Sequence, residues 1–203
     1  SINTNKQLII ENSCLHIYLS RFTNVKSSGT QAGAIYISLN GEIPNDLSII
    51  IYGCEFFYCQ NNAIHIESSG KTLMNISKCT FEECGLSANC AVFLKSQNVK
   101  INYCHFLNNI RTDTSGQKPG DIYFESSSTE GALSIIGCKF ELRNNINPEA
   151  RSMIQIANPT TLEFMYNEIF IHSYFTSSKL FTDTDAPNIR PSTIKINYIP
   201  FER

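Results

Sequence analysis

Hydrophobic and polar residues alternate in short segments along most of the chain, and one pattern of alternation recurs at a fixed distance. It occurs in IIIYGCEFF (49–57), MNISKCTFE (74–82) and VKINYCHFL (99–107), where two apolar residues two apart precede a cysteine and then a phenylalanine. The phenylalanines are Phe56, Phe81 and Phe106, and the two intervals between them are equal. Alternation at every second residue indicates a β-strand. A fixed period of about 20–50 residues indicates a fold of stacked repeats.

Weaker copies of this pattern extend the repeat in both directions. The positions that anchor the predicted turns are Phe22, Phe56, Phe81, Phe106, Phe140, Ile169 and Phe201. A second apolar strand follows several anchors, in AIYI (34–37), AIHI (63–66), AVFL (91–94) and DIYF (121–124). The intervals between anchors are unequal outside the central turns, and surface loops such as RTDTSGQKPG (111–120) explain the longer ones.

The repeat favours one fold class over its alternatives. Apolar residues do not recur three and four positions apart over several turns, so alternating strands and helices are excluded. An antiparallel sandwich also has short strands, but it does not require cysteine and phenylalanine at the same place in every unit. A solenoid does, because equivalent residues stack at about 4.8 Å and each layer completes the core of the next. We predict an all-β, right-handed parallel β-helix of about seven rungs, with residues 1–203 forming a single domain.

The repeats resemble those of the right-handed parallel β-helices of the pectin-lyase-like superfamily. More narrowly, FTN (22–24) and AGAIY (32–36) resemble the Phe- and Asn-containing and Gly-Gly-Ala-Ile motifs of polymorphic outer-membrane-protein and adhesin-type repeats. Ala32-Gly33 stands where that motif has two glycines. The resemblance implies surface, adhesive or scaffold roles as readily as polysaccharide cleavage, because a fold alone does not define an activity.

Composition narrows the range of partners. The formal net charge is −2 and charges of one sign do not cluster, so we expect no nucleic-acid partner. No apolar stretch reaches the roughly 18 residues needed to cross a bilayer, so we expect no direct membrane insertion. The chain begins at Ser1 without a methionine, and its first and last predicted turns are incomplete. We therefore expect a segment of a longer chain, whose flanking regions or another chain cover the ends.

The cysteines occupy repeated positions. One position in successive turns is shared by Cys54, Cys79, Cys104 and Cys138, and another by Cys59 and Cys84. Ser20 and Asn167 replace cysteine at the first position, which a packing site tolerates and a metal site does not. Cys54 and Cys59 are five residues apart, as are Cys79 and Cys84. This spacing is wider than the two-residue gap of common zinc sites. We interpret the cysteines as a buried packing ladder and predict neither a metal nor a cofactor.

A disulfide is the alternative for these cysteines. Stacked residues lie within the Cα–Cα range that a disulfide needs. In an oxidising compartment, Cys59–Cys84 is the expected bond.

A row of aromatic side chains is the main candidate binding surface. Strand alternation directs one residue of each second strand outward, and these residues are Tyr36, His65, Phe93 and Tyr123. An exposed apolar row marks a contact, and flat rings suit sugar rings or another protein. Cover by loop 107–120 or by a neighbouring domain is the competing interpretation.

A carbohydrate-active site would need several polar residues that converge on one outer face. The best candidates for such a catalytic group are Glu82, His105, Glu141 and Arg143. A solvated outer face explains the same residues.

The function we expect is that of a non-catalytic, adhesin-like scaffold in a cell-surface or secreted protein, which binds protein or carbohydrate along its side. The first alternative is a polysaccharide lyase or glycoside hydrolase of the pectin-lyase-like fold. The second is an intracellular structural repeat protein, which is favoured if all the cysteines are free thiols.

Overall fold

The computed structural model describes residues 14–26, 33–39, 47–85, 90–109, 120–128, 131–142, 153–157, 161–171, 181–183 and 193–198. Eighteen β-strands occupy these residues, and no helix occurs among them. We number the strands β1 to β18 in chain order. They line three faces, and each turn of the chain contributes one strand to each face in succession.

The strands of each face run parallel to one another and in register, except for a register shift between β16 and β18. The first face consists of β1 (Cys14–Tyr18), β4 (Ser48–Tyr52), β7 (Leu73–Ser77), β10 (Asn98–Asn102), β13 (Ala132–Ile136), β16 (Thr161–Ile171) and β18 (Thr193–Tyr198). The second consists of β2 (Arg21–Thr23), β5 (Glu55–Phe57), β8 (Thr80–Glu82), β11 (His105–Leu107), β14 (Lys139–Leu142) and the last part of β16. The third consists of β3 (Gly33–Leu39), β6 (Asn62–Ser68), β9 (Val92–Ser96), β12 (Ile122–Ser126), β15 (Ile154–Ala157) and β17 (Phe181–Asp183).

This arrangement is an all-β parallel β-solenoid, and the predicted fold class is confirmed. The number of complete turns is lower than the seven predicted. Described strands occupy all three faces in six turns, and β18 alone represents the seventh. The predicted last anchor, Phe201, lies outside the described residues.

A sharp corner divides the repeated pattern between two strands. The corner residue between the first and second faces has φ between 47° and 64° in six turns, at Leu19, Gly53, Lys78, Tyr103, Gly137 and Tyr166. The corner residue after the second face has φ between 51° and 53° in four turns, at Asn24, Tyr58, Glu83 and Asn108. Each left-handed residue turns the backbone without interrupting the ladder. The Lys78 N–H, for example, donates to the Asn102 carbonyl of the next turn at 3.0 Å.

The interior is a continuous stack of phenylalanine rings. Phe56, Phe81, Phe106 and Phe140 are fully buried, and neighbouring centroids lie 4.9 to 5.0 Å apart with interplanar angles of 2° to 11°. The equal intervals between the first three predicted this stacking. Beyond Phe140 the next ring is Phe164, which lies 6.1 Å away and is tilted by 30°. The predicted anchor Ile169 pairs with Phe140 and is partly buried.

Candidate functional site

Stacking between turns forms the predicted aromatic row on the third face. The strands β3, β6, β9 and β12 place Tyr36, His65, Phe93 and Tyr123 at the same register position. Ring centroids along the row lie 5.2, 4.3 and 4.9 Å apart. The last two pairs are nearly parallel, at 16° and 7°. Because in-register strands repeat at about this spacing, a row of rings follows directly from the fold.

Only part of the row is accessible. Tyr36 is 45% exposed, whereas His65 is 2% and Phe93 8% exposed, although these rings point away from the core. The expectation of an exposed row is therefore wrong for His65 and Phe93. Ala91 and Asp121, which lie just before two of these strands, are buried as well. The outer side of this face is thus covered at His65 and Phe93, which strand alternation alone does not predict.

Polar side chains nearby hold two members of the row, His65 and Tyr123, in place. His65 Nε2 lies 2.7 Å from Glu67 Oε1, and His65 Nδ1 lies 3.3 Å from Asn62 Oδ1. Tyr123 donates its hydroxyl to Glu125 Oε2 at 3.2 Å. Burial, and then the charge of Glu125, raise the pKa of Tyr123 to about 12. The phenol is therefore a neutral hydrogen-bond donor and not a base. Binding at the row stays a prediction.

The second face brings together two of the four residues proposed for catalysis. His105 Nε2 lies 3.2 Å from Glu141 Oε2, and Lys139 forms an ion pair with the other oxygen of Glu141. Glu141 is only 2% exposed, so the interpretation as a solvated outer face is wrong for this residue. Glu82 shares its column but is separated from Glu141 by Leu107 in the intervening turn. Arg143 lies outside the described residues.

Sequence reasoning did not propose Lys139 for this cluster. The available signal was that Lys139 stands two positions before Glu141 on one strand. Residues two apart on a strand point to the same side. The cluster of His105, Lys139 and Glu141 combines a buried carboxylate with a lysine ammonium group and an imidazole ring, which is an arrangement that can hold a proton or position a polar ligand.

The eight cysteines are free, and seven of them are buried. The conditional disulfide Cys59–Cys84 is absent from the structure. Burial raises the pKa of Cys84 and of Cys104 well above the ordinary value. These two thiols are therefore protonated and can donate a hydrogen bond. Several ladder thiols point to a carbonyl oxygen of the preceding turn, at sulfur–oxygen distances of 3.4 to 3.7 Å: Cys54 to Ile17, Cys79 to Ile51, Cys104 to Ile76, Cys138 to Ile101 and Cys84 to Phe56.

Asparagine makes the same contact where it replaces cysteine. Asn167 accepts from the Cys138 N–H at 2.8 Å and donates to the Ile135 carbonyl at 2.9 Å. At the second corner, Asn109 accepts from the Cys84 N–H at 2.8 Å and donates to the Phe81 carbonyl at 3.0 Å. Cysteine and asparagine are interchangeable here because each satisfies a backbone carbonyl that the corner would otherwise leave buried.

A second exposed aromatic surface was not found from the sequence. Tyr103 and Tyr166, at the corner between the first and second faces, are 65% and 54% exposed. Each of these tyrosines stands just before the position that holds cysteine in most turns. Apolar alternation does not mark that position as inward or outward.

The described residues contain neither a group of three or more metal-ligating side chains nor a helix long and apolar enough to cross a membrane. Comparisons of the chain with protein-family models, with curated proteins and with solved structures gave no match. The fold thus defines the class, a parallel β-solenoid protein. The outer features of the described residues that can take part in contacts or chemistry are the aromatic row, the exposed corner tyrosines and the cluster around Glu141.

Proposed function

We propose that this chain is a non-catalytic, adhesin-like β-helical scaffold of the pectin-lyase-like type, part of a cell-surface or secreted protein, which makes protein or glycan contacts along its side. The observation that carries this proposal is that outer charged groups pair between adjacent turns. Arg21 Nε lies 3.4 Å from Glu55 Oε2, and Lys95 Nζ lies 2.8 Å from Glu125 Oε1. Such ion pairs link adjacent turns and do not converge on one point where a substrate would react. A scaffold requires stable contacts between its turns and no such point.

The accessible end of the aromatic row is the proposed contact point on the third face. Tyr36 is 45% exposed and stacks on His65 at 5.2 Å. Since Glu67 and Asn62 fix the imidazole, the exposed ring lies on a rigid support. Rigid aromatic anchors of this kind dominate the free energy of many contacts, because little entropy is lost when they bind.

The test is a binding and cleavage assay on immobilised xyloglucan, polygalacturonate and collagen. We expect binding to at least one surface without release of reducing ends or unsaturated sugars. Tyr36→Ala should weaken that binding about three- to tenfold, the range for loss of one aromatic stacking contact. Tyr58→Ala is the matched control, because Tyr58 is 46% exposed but lies at the second corner. Equal loss in both variants, or cleavage of a polysaccharide, would contradict the proposal.

A carbohydrate-active enzyme is the second candidate, and the contact between His105 and Glu141 favours it. A buried carboxylate beside an imidazole suits general acid–base catalysis, which is worth about 10²–10⁴-fold in rate. If polysaccharide cleavage is found, Glu141→Gln should reduce it by at least about 100-fold. Glu82→Gln serves as the control, because Leu107 separates Glu82 from the cluster. Unchanged cleavage in Glu141→Gln would exclude this cluster as the catalytic site.

An intracellular structural repeat protein is the third candidate, and the unbonded cysteines favour it. Thiol titration of the denatured protein, isolated without reductant from its native source, separates this candidate from a secreted scaffold. Eight titratable thiols would support the intracellular candidate, whereas a missing pair at Cys59 and Cys84 would support secretion.

A further inference from the structure

The corner between the first and second faces carries a line of large side chains along the solenoid. We call it the corner ridge and define it by the left-handed residue and the residue before it in six turns. Its large members are Tyr18, Leu19, Tyr52, Lys78, Tyr103, Ile136, Met165 and Tyr166. Four of the nine tyrosines of the chain lie here. The ridge is distinct from the row on the third face.

The two most exposed tyrosines of the ridge are in backbone positions that disfavour them. Tyr103 and Tyr166 have φ of 55° and 56°, a region that glycine and asparagine occupy most easily. Their rings are 65% and 54% exposed, so they contribute little to the core. A bulky aromatic residue that is both strained and exposed points to a role in contact and not in folding.

Glycine positions turn some of these side chains into fixed platforms. A Cβ atom added to Gly137 would lie only 2.7 Å from Cδ1 and from Cε1 of the Tyr103 ring. In the same way, a Cβ atom on Gly53 would lie 2.7 Å from Cδ2 of Leu19. Each glycine therefore leaves room for the side chain of the preceding turn to lie against the backbone. The Tyr103 ring is held on one side and remains open to solvent on the other.

The ridge is almost uncharged. Among its residues in six turns, only Lys78 carries a charge, and its Nζ lies 5.3 Å from the centroid of the Tyr52 ring. Tyr52 also packs edge-on against Tyr18, at 6.0 Å and 60°. One lysine that is already placed over a ring is too little positive charge for a polyanion, which is bound through many basic groups.

The shape of the ridge selects a linear and narrow partner. A stable protein partner needs about 800 Å² of contact on each side, which a convex line two residues wide does not provide. Tyrosine combines an apolar ring face with a hydroxyl group, and a neutral sugar ring likewise has an apolar face and a hydroxyl edge. Tyr103 and Tyr166 lie two turns apart, about 10 Å along the axis, so one extended chain can reach both.

We infer that the corner ridge binds a neutral polysaccharide that lies along the solenoid axis and stacks on Tyr103 and Tyr166. This inference rests on the proposed function, because it adds a second glycan-binding surface to the scaffold beside the contact point at Tyr36. It concerns a different surface and restricts the ligand to neutral polysaccharides, so the two proposals can fail separately.

The experiment is native affinity electrophoresis of the full chain in gels that contain mixed-linkage β-glucan, xyloglucan or galactomannan, with polygalacturonate as the acidic comparison. At least one neutral polysaccharide should retard the wild-type chain more strongly than polygalacturonate does. Tyr103→Ala and Tyr166→Ala should each raise the apparent Kd about three- to tenfold, whereas Tyr103→Phe should retain most of the affinity. Tyr58→Ala should bind like wild type, because Tyr58 is also a left-handed, exposed tyrosine but lies off the ridge. Circular dichroism confirms that each variant is folded.

Several outcomes would overturn the inference. Retardation by polygalacturonate alone would exclude a neutral ligand, and an equal effect of Tyr58→Ala would exclude the ridge. Loss of binding in Tyr36→Ala but not in the ridge variants would leave the proposed function standing and remove this inference. Binding to immobilised collagen that depends on Tyr103, without binding to any polysaccharide, would identify a protein partner instead.

Discussion

Single residues in this fold contribute unequally to stability, because some belong to the phenylalanine stack of the core and others lie on the outer side of the same strands. On β5 the neighbours Phe56 and Phe57 point to opposite sides, and Phe56 is fully buried between Phe22 and Phe81. Phe56→Ala should lower the free energy of unfolding by about 3–5 kcal/mol, as for other buried aromatic residues. Phe57→Ala, whose ring is partly exposed and faces Arg21, should cost about 1 kcal/mol or less. Urea denaturation measures both, and equal losses would contradict the stacked core.

One buried carboxyl group should make stability depend on pH. Asp121 is 2% exposed and accepts from Asn109 Nδ2 at 3.0 Å. Burial raises its pKa to about 7 from an ordinary 3.8. Between these two pH values the folded chain holds a proton that the unfolded chain has lost, so the contribution to stability is fully present below about pH 4 and is lost as the pH rises to 7.

Asp121→Asn is the variant that tests this pH dependence. Urea midpoints of the wild type should fall between pH 4.5 and 7.5, and the contribution of this group is up to about 4 kcal/mol. The asparagine variant should lose most of that slope. Glu55→Gln alters an exposed carboxylate and should leave the slope unchanged. A wild-type slope retained in Asp121→Asn would assign the pH dependence to other groups.

Sequence reasoning was most successful where one residue type carries one role. The spacing of Phe56, Phe81 and Phe106 predicted the stacked core, since only direct superposition of turns explains it. The corners were missed because Leu19, Lys78 and Tyr103 hold the left-handed position, where glycine or asparagine would have been the usual signal. The burial of His65 was also missed, because alternation gives the direction of a side chain and not what covers it.

At the level of the element, each corner depends on one side chain that satisfies the backbone. Asn167 is fully buried and bonds both the Cys138 N–H and the Ile135 carbonyl between β13 and β16. Asn167→Ala should leave both groups without these bonds and reduce stability by about 2–4 kcal/mol, since a buried unsatisfied group costs about 1–3 kcal/mol.

Asn167→Cys is the informative partner variant. Cysteine occupies the same position in the preceding turns and points its thiol at the carbonyl that Asn167 now uses, so this variant should recover part of the loss. Thermal unfolding of the two variants in reducing buffer measures the difference. If Cys and Ala at this position are equally destabilising, the thiol–carbonyl contact does not contribute to corner stability.

Strand elements also explain which part of the candidate sites was predictable. His105 and Glu141 were placed together because β11 and β14 superpose, and their register holds although β12 and β13 lie between the two strands along the chain. Lys139 was overlooked because its ion-pair partner, Glu141, lies on the same strand and not in an adjacent turn. The corner ridge was overlooked because apolar alternation predicts the direction of a side chain only within a strand, and the left-handed residues of the ridge lie at a corner.

For the whole molecule, local stability should follow the burial of each turn. In a one-dimensional array each turn is held by the turns on either side, and the opening free energy is lowest where few apolar contacts are buried. Hydrogen exchange should therefore be slowest in β7, β8 and β10, and fastest in β1 and β2, whose residues are more exposed. Exchange at the same rate in all turns would indicate a single cooperative unit.

The intervals between phenylalanines have a practical consequence for protein engineering. The chain from Phe106 to Phe140 is longer than the chain from Phe81 to Phe106, yet the two ring pairs stack at 5.0 and 4.9 Å. The additional residues thus leave the rise per turn unaltered. A foreign peptide inserted between Asn109 and Gly120 would accordingly be displayed at a fixed position along the solenoid axis. Several such inserts in different turns would be separated by multiples of one strand spacing.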